Sequence, residues 1–158
     1  MDIRSGSGYP AGALSNFSPH PFIFHGVSIN SFEGFLQSLK FKNVDMQKHI
    51  CSLVGLKAKK SGSKKNWQRE QLLWWDGVSY QRKSEEYQSL LDDAYSEMFN
   101  QNGKARAALL ATQGANLTHK IGRTNISETV LTRTEFCSRL MKIRNKLINE
   151  DLLKDLVK

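Results

Sequence analysis

The sequence predicts a mostly helical α+β domain with a small β-hairpin near its N-terminus. Three observations carry that prediction. Apolar residues recur with a 3.6-residue period at Tyr87, Leu90, Leu91, Ala94, Tyr95 and Met98, as on the buried face of a helix. A second helical stripe, Phe136, Leu140, Ile143 and Leu147, runs through "RTEFCSRLMKIRNKLINEDLLKDL". By contrast, "PFIFHGVSIN" alternates apolar and polar residues around His25-Gly26, the pattern of a short hairpin. The 158 residues suit one domain, 1–158, long enough to bury a real core.

Each element follows in order. The stretch up to Pro21 is rich in Ser, Gly and Pro and reads as loop. After the hairpin, Ser31 is suited to cap a helix with Glu33 in its first turn. That helix is expected to reach about Asn43, and another to cover Met46 to Val54. "NWQREQLLWWDGVSY" begins as helix and breaks at Asp76-Gly77, a turn signal. Ser84, followed by Glu85 and Glu86, starts the helix that carries the first stripe. "GKARAALLATQG" reads as a short helix closed by Gly114. "ANLTHKIGRTNISETVL" has no clear period and reads as a long loop, the usual seat of function.

Bulk properties narrow the chemistry. No apolar run approaches the roughly 18 residues that span a bilayer, and "MDIRSGSGYPAGALSNF" has no continuous apolar core, so no secretory signal is expected. Cys51 and Cys137 are far apart and outside any metal-ligand spacing. They read as reduced, buried thiols of a cytoplasmic protein, with no metal and no cofactor expected. Lys and Arg exceed Asp and Glu, 23 to 15, for a net charge of +8. That balance suits a polyanionic partner such as nucleic acid or nucleotide. Part of the excess sits in "LKAKKSGSKK", with five lysines, which reads as a solvated loop or a phosphate contact.

The candidate chemistry lies on "SFEGFLQSLKF". At about 100° per residue, Gln37 projects about 40° from Glu33 and Lys40 about 20° to its other side. Phe32, Phe35, Leu36 and Leu39 occupy the neighbouring face. The helix can therefore bury its apolar side and set an acid, an amide and an amine along one cleft edge. Apolar neighbours raise a carboxyl pKa and lower an ammonium pKa. Those shifts suit Glu33 to general acid–base work and Lys40 to nucleophilic work. The same spacing also occurs on ordinary solvent-facing helices, where such residues do nothing beyond solvation.

"LSNFSPHPF" (14–22), followed by "SFEGFLQSLKF", resembles the opening of the YbiA-like or NADAR family. There an "SNF" loop and a hairpin precede a helix of the form S-x-E-x-x-x-Q-x-x-K-F. The similarity continues in "AYSEMFNQN", "ALLATQGANLTH" and "TEFCSRLMKIRNKL", in order, over nearly the whole chain. The resemblance implies a single YbiA-like domain that cleaves the bond between a ribose C1 and a nitrogen. One branch removes ADP-ribose from guanine in nucleic acid or nucleotide, in some cases as the antitoxin to a DNA ADP-ribosyltransferase. Another acts on phosphoribosylated intermediates of riboflavin synthesis. A third possibility is a binding module for ADP-ribose or nucleic acid without turnover. By position, Glu33 matches the family acid/base, Lys40 its helix lysine and Gln37 a residue that orients substrate. Any toxin partner would be a separate chain and leaves no mark in this one.

Further candidates for substrate contact are Ser15 and Asn16, for phosphate or ribose, and Phe17, for stacking or packing. Trp67 is a candidate for stacking on a base. Two departures from the family pattern stand out. Gly62 is followed by Ser63 and Lys64 where relatives often carry Gly-Arg, so Lys64 would meet phosphate as a point charge. The loop carries His119, Gly122, Arg123 and Asn125 in place of an Asp and a Trp-Gly pair. It resembles the variant without that pair. Arg123 is then the candidate for a diphosphate and His119 for ribose or base.

Overall fold

The computed structural model describes residues 1–157. Among the described residues, two antiparallel hairpins, six α-helices and two 3-10 turns make up the fold. β1 (Phe22–Phe24) and β2 (Val27–Ile29) pair with Phe22 opposite Ile29 and Phe24 opposite Val27. Their turn puts His25 at φ 49° and Gly26 at φ 77°, the left-handed pair that a two-residue hairpin with matching twist requires. Inward Phe22, Phe24, Val27 and Ile29 are buried while Ile23 and Ser28 face out, the alternation read in the sequence.

α1 (Phe32–Ser38) starts where expected, with the Ser31 hydroxyl accepting from the Gly34 N–H at 3.1 Å. It is shorter than expected. The Lys40 N–H turns back to the Gln37 carbonyl at 3.2 Å, so the last turn tightens and Lys40 stands just past the helix. α1 packs on α2 (Val44–Cys51) and α3 (Gly55–Ser61). The approach is close at Gly34, where a Cβ would lie 2.8 Å from the Ile50 carbonyl and 3.0 Å from that of Leu53. Any side chain there would push the helices apart. α2 begins and ends before the expected Met46–Val54 span, because Asn43 caps it through Met46 N–H at 2.9 Å.

Two expectations are corrected here. The lysine run is mostly helix, α3, because Ala58 buries fully against the core and gives the otherwise polar turn a packing face. The segment after Asn66 is one 3-10 turn (Trp67–Arg69) and then a second hairpin, β3 (Leu72–Trp75) with β4 (Val78–Gln81). Asp76 at φ 48° and Gly77 at φ 83° make its turn. An Asp-Gly pair flanked by apolar residues is among the strongest hairpin signals, and here it overrides the helical look of "REQLLWW". On a strand the adjacent tryptophans point to opposite faces: Trp75 is 2% exposed, whereas Trp74 is half-buried.

The C-terminal half matches its reading. α4 (Glu85–Gln101) buries the whole stripe from Tyr87 to Met98, capped by Ser84 through the Tyr87 N–H at 3.2 Å. α5 (Gly103–Leu110) follows with Asn102 as its cap, but it ends at Leu110, with Ala111 as its C-cap, short of the Gly114 expected to close it. α6 (Arg133–Leu156) starts with a capping box between Thr132 and Glu135. Phe136 and Leu140 are buried, and Ile143 and Leu147 pack at the edge of the core. Residues 115–132 form the expected long loop.

That loop is held at several points. Arg82 is fully buried; its Nε donates to the Thr129 carbonyl at 2.8 Å and its guanidinium grips both oxygens of Glu135. The Tyr87 hydroxyl donates to the Val130 carbonyl at 2.6 Å. At the other end, the Ile3 N–H donates to the Thr118 carbonyl at 2.8 Å, and Asp2 accepts from the Lys120 N–H at 2.8 Å. Such anchors give an irregular segment the fixed shape that a binding wall needs. Among the described residues no helix is long and apolar enough to cross a membrane.

Candidate functional site

A cleft of about 580 Å³ opens between α1, the N-terminal loop, the turn after α3 and the loop 115–132. That volume is in the range of sites for small molecules and nucleotides, roughly 300–1,000 Å³. Its walls bring together Glu33, Gln37 and Lys40 with Ser15, Asn16, Phe17, Trp67, His119 and Arg123. Residues over 100 positions apart thus meet at one α1 edge.

Glu33 is fixed at both ends. Its N–H donates to the Asn16 carbonyl at 2.9 Å, and its carboxylate accepts from Gln37 Nε2 at 2.8 Å. The two side chains are one helical turn apart, which makes them neighbours. Burial pushes the Glu33 carboxyl above its ordinary value; the Gln37 hydrogen bond and the charges of Lys40, Lys59 and His119 oppose this without cancelling it. Burial draws the Lys40 ammonium below its ordinary value; Glu33 opposes that shift and Arg123 adds to it. Each group is thereby moved toward its neutral form.

Glu33 and Lys40 do not pair with each other. Among the described residues the ion pairs are Arg82–Glu135, Arg123–Glu128 and Arg139–Asp92. Lys40 Nζ instead makes a long contact, 3.4 Å, to the Gly62 carbonyl. The acid and the amine therefore share a wall with both reactive ends available. Gln37 is 7% exposed, and its Oε1 has no hydrogen-bond partner. It packs on Gly62 so closely that a Cβ there would lie 2.0 Å from Oε1 and 3.1 Å from Lys40 Cδ. Gly62 is thus the residue that lets the turn after α3 close over Gln37 and Lys40.

His119 Nδ1 lies 2.7 Å from the Ile3 carbonyl, and its ring meets Phe136 edge-on at 5.2 Å. A carbonyl can only accept, so Nδ1 carries the proton and a neutral ring keeps Nε2 as an acceptor. Arg123 is largely exposed, 4.0 Å from Glu128, and is free to meet an anion. Gly122 packs against His119: a Cβ there would sit 2.5 Å from the ring Cδ2.

Some candidates prove to have structural duties. Asn16 ties the loop to two helices, since its Oδ1 also accepts from the Tyr95 hydroxyl at 2.9 Å. Ser15 Oγ accepts from the Phe17 N–H at 3.2 Å, shaping the turn. Trp67, the candidate for stacking on a base, is at 6% exposure a core residue that also lines the cleft. Lys64 is exposed on the turn after α3 and does not line the cleft; Lys59 and Ser63 do. The helical turn of α3, unseen in the sequence, aims Lys59 inward instead. Gln68, Glu128 and Val130 also line the cleft and carried no sequence signal. Among the described residues no group of His, Cys, Asp and Glu is arranged to hold a metal.

Residues 8–145 match the family model of "Bacteriophage protein GP30.3". The chain belongs to that family. Consistent with this, it is 40% identical over 152 residues to an uncharacterised 17.1 kDa protein of the Gp30-rIII intergenic region of Enterobacteria phage T4, covering 93% of this chain and 98% of the T4 protein. The fold of this GP30.3-family chain is similar to the NMR structure of Escherichia coli YbiA, with a TM-score of 0.64 and 21% identity. That likeness covers 96% of this chain and 86% of YbiA, and it shows a shared fold.

Proposed function

We propose that this protein is an N-glycosidase that removes ADP-ribose from guanine bases in nucleic acid or nucleotide. The observation that carries the reading is the α1 edge of the cleft. An acid and an amine, both moved toward neutrality by burial, stand there unpaired beside an ordering amide. The YbiA-like fold and a cleft of nucleotide size support it.

Breaking a C1–N bond leaves positive charge on the ribose and sends the bonding pair to the base nitrogen. Glu33, protonated, gives its proton to that nitrogen, so the base departs neutral. Lys40, neutral, adds its lone pair to the C1 cation; a proton then passes from its nitrogen to the ring oxygen, the C1–ring oxygen bond breaks, and an imine is left on the opened sugar. The Glu33 carboxylate next takes a proton from water, which adds to the imine carbon and releases Lys40 and the free sugar. Gln37 holds the Glu33 carboxyl in one orientation. Arg123 faces the diphosphate, and His119 Nε2 accepts from a ribose hydroxyl.

The test is to incubate the protein with guanine-ADP-ribosylated oligonucleotide and with ADP-ribosylated guanine nucleotide, and to follow ADP-ribose by chromatography. Release by wild type, lost in Glu33→Gln, is expected. Turnover of a ribosylaminopyrimidine phosphate with none of either guanine substrate would replace this reading. So would tight ADP-ribose binding without turnover of any of them.

A further inference from the structure

Between Asp45 and Glu70 the chain carries seven Lys and Arg residues and no acid, which is most of the net charge of +8. Lys57, Lys60, Lys64, Lys65 and Arg69 of this stretch are exposed. None of its lysines enters an ion pair among the described residues. Of the basic residues of this segment the cleft uses only Lys59, so most of the charge faces solvent beside the site rather than within it.

The charge is interleaved with half-buried aromatic rings. Lys65 Nζ lies 4.9 Å over the Phe41 ring, and Lys42 Nζ lies 5.0 Å over the Trp74 ring. One buried side chain joins the two: Gln47 Nε2 donates to the Phe41 carbonyl at 2.9 Å and to the Trp74 carbonyl at 2.8 Å. Phe41 adjoins Lys40 in sequence, so the band runs from the cleft rim outward.

We propose that this band is a docking surface for single-stranded nucleic acid. Lysines track a phosphodiester chain, and aromatic faces take unstacked bases. A duplex keeps its bases inside and gives Phe41 and Trp74 nothing to meet. The surface extends the N-glycosidase reading by letting a modified guanine enter the cleft on a strand. Its test uses unmodified strands, so it fails independently of that reading.

The experiment measures fluorescence anisotropy of labelled 20-nucleotide DNA and RNA strands, the matching duplex, and phosphatidylserine vesicles by co-sedimentation. The full chain is titrated at several salt concentrations. Single strands are expected to bind, more weakly as salt rises. Replacing Lys60, Lys64 and Lys65 together with Ala should lower the slope of log K against log salt by about 2, and weaken binding about 100-fold at 0.1 M salt, from about 0.7 per contact. Replacing exposed Lys104, Lys142 and Lys146 instead should leave the slope unchanged. Tryptophan emission should be quenched on binding, and the quenching lost in Trp74→Phe. Equal losses in the two triple variants, preference for duplex, binding to vesicles alone, or no binding at low salt would each overturn the proposal.

Discussion

Gly62→Ala is the sharpest test of how the site is built. Gly62 has φ −104°, which any residue adopts, so the backbone carries no penalty. The penalty is contact. The new Cβ would lie 2.0 Å from Gln37 Oε1, far inside the separation of about 3.5 Å at which atoms attract. Gln37 must swing away, and its 2.8 Å hydrogen bond to Glu33 breaks. Oε1 is the far end of a flexible side chain, so moving it costs little, and the lost bond to a carboxyl, about 1–3 kcal/mol, sets the cost. A net loss of about 2 kcal/mol should lower Tm by about 4–8 °C for a chain of this size. The assay is thermal unfolding of wild type, Gly62→Ala, Gln37→Ala and the double variant. With the Gln37 amide gone, Gly62→Ala should cost almost nothing, giving a coupling of about 1–2 kcal/mol. Additive losses would refute the claim that Gly62 is kept bare for Gln37.

The remaining predictions concern charge and anchoring. The folded Glu33 holds its proton to higher pH than the unfolded value of 4.5, so its contribution to stability is largest below that pH and is lost as pH rises through the folded value. Glu33→Gln should therefore gain stability over wild type from acid to neutral pH in urea unfolding; a constant difference would contradict this. Glu135 behaves oppositely: burial pushes it up, but hydrogen bonds from Arg82, the Thr132 N–H and Gln88 outweigh that and hold it low. Its contribution is present above 4.5 and is lost as pH falls through the folded value. Arg82→Met leaves Glu135 without its cation and should cost about 3–5 kcal/mol, read as a fall in Tm. Lys40→Met should abolish covalent trapping of substrate by borohydride, which wild type should show by mass spectrometry.

Much of the fold was legible where period and caps agree. α4 starts where its Ser84 cap and buried stripe put it; α6 was legible from its stripe alone, and its Thr132 cap emerges only in the structure. The first hairpin was legible from alternation around His25-Gly26. The second was obscured although its Asp76-Gly77 turn was read, because "LLWW" lacks alternation and the helix-like "NWQREQ" precedes it. α3 was hidden because a single small residue, Ala58, is its packing face. The trio on α1 was legible because i to i+4 spacing is local. Ser15, Asn16, Phe17, Trp67, His119 and Arg123 were candidates too, and line the cleft; Lys59, Gln68 and Glu128 were not legible, because they reach it through turns and long-range anchors that no window contains. The charge of +8 suggested a polyanion partner, while the way Phe41 and Trp74 interleave with lysines is visible only once the chain is folded.

The most direct measurement is release of ADP-ribose from a guanine-ADP-ribosylated oligonucleotide by wild type and Glu33→Gln, with binding of the same strand followed in parallel. The account predicts that wild type releases ADP-ribose and that Glu33→Gln binds the strand without releasing it. Release by Glu33→Gln at the wild-type rate, or none by a folded wild type that binds the strand, would contradict it.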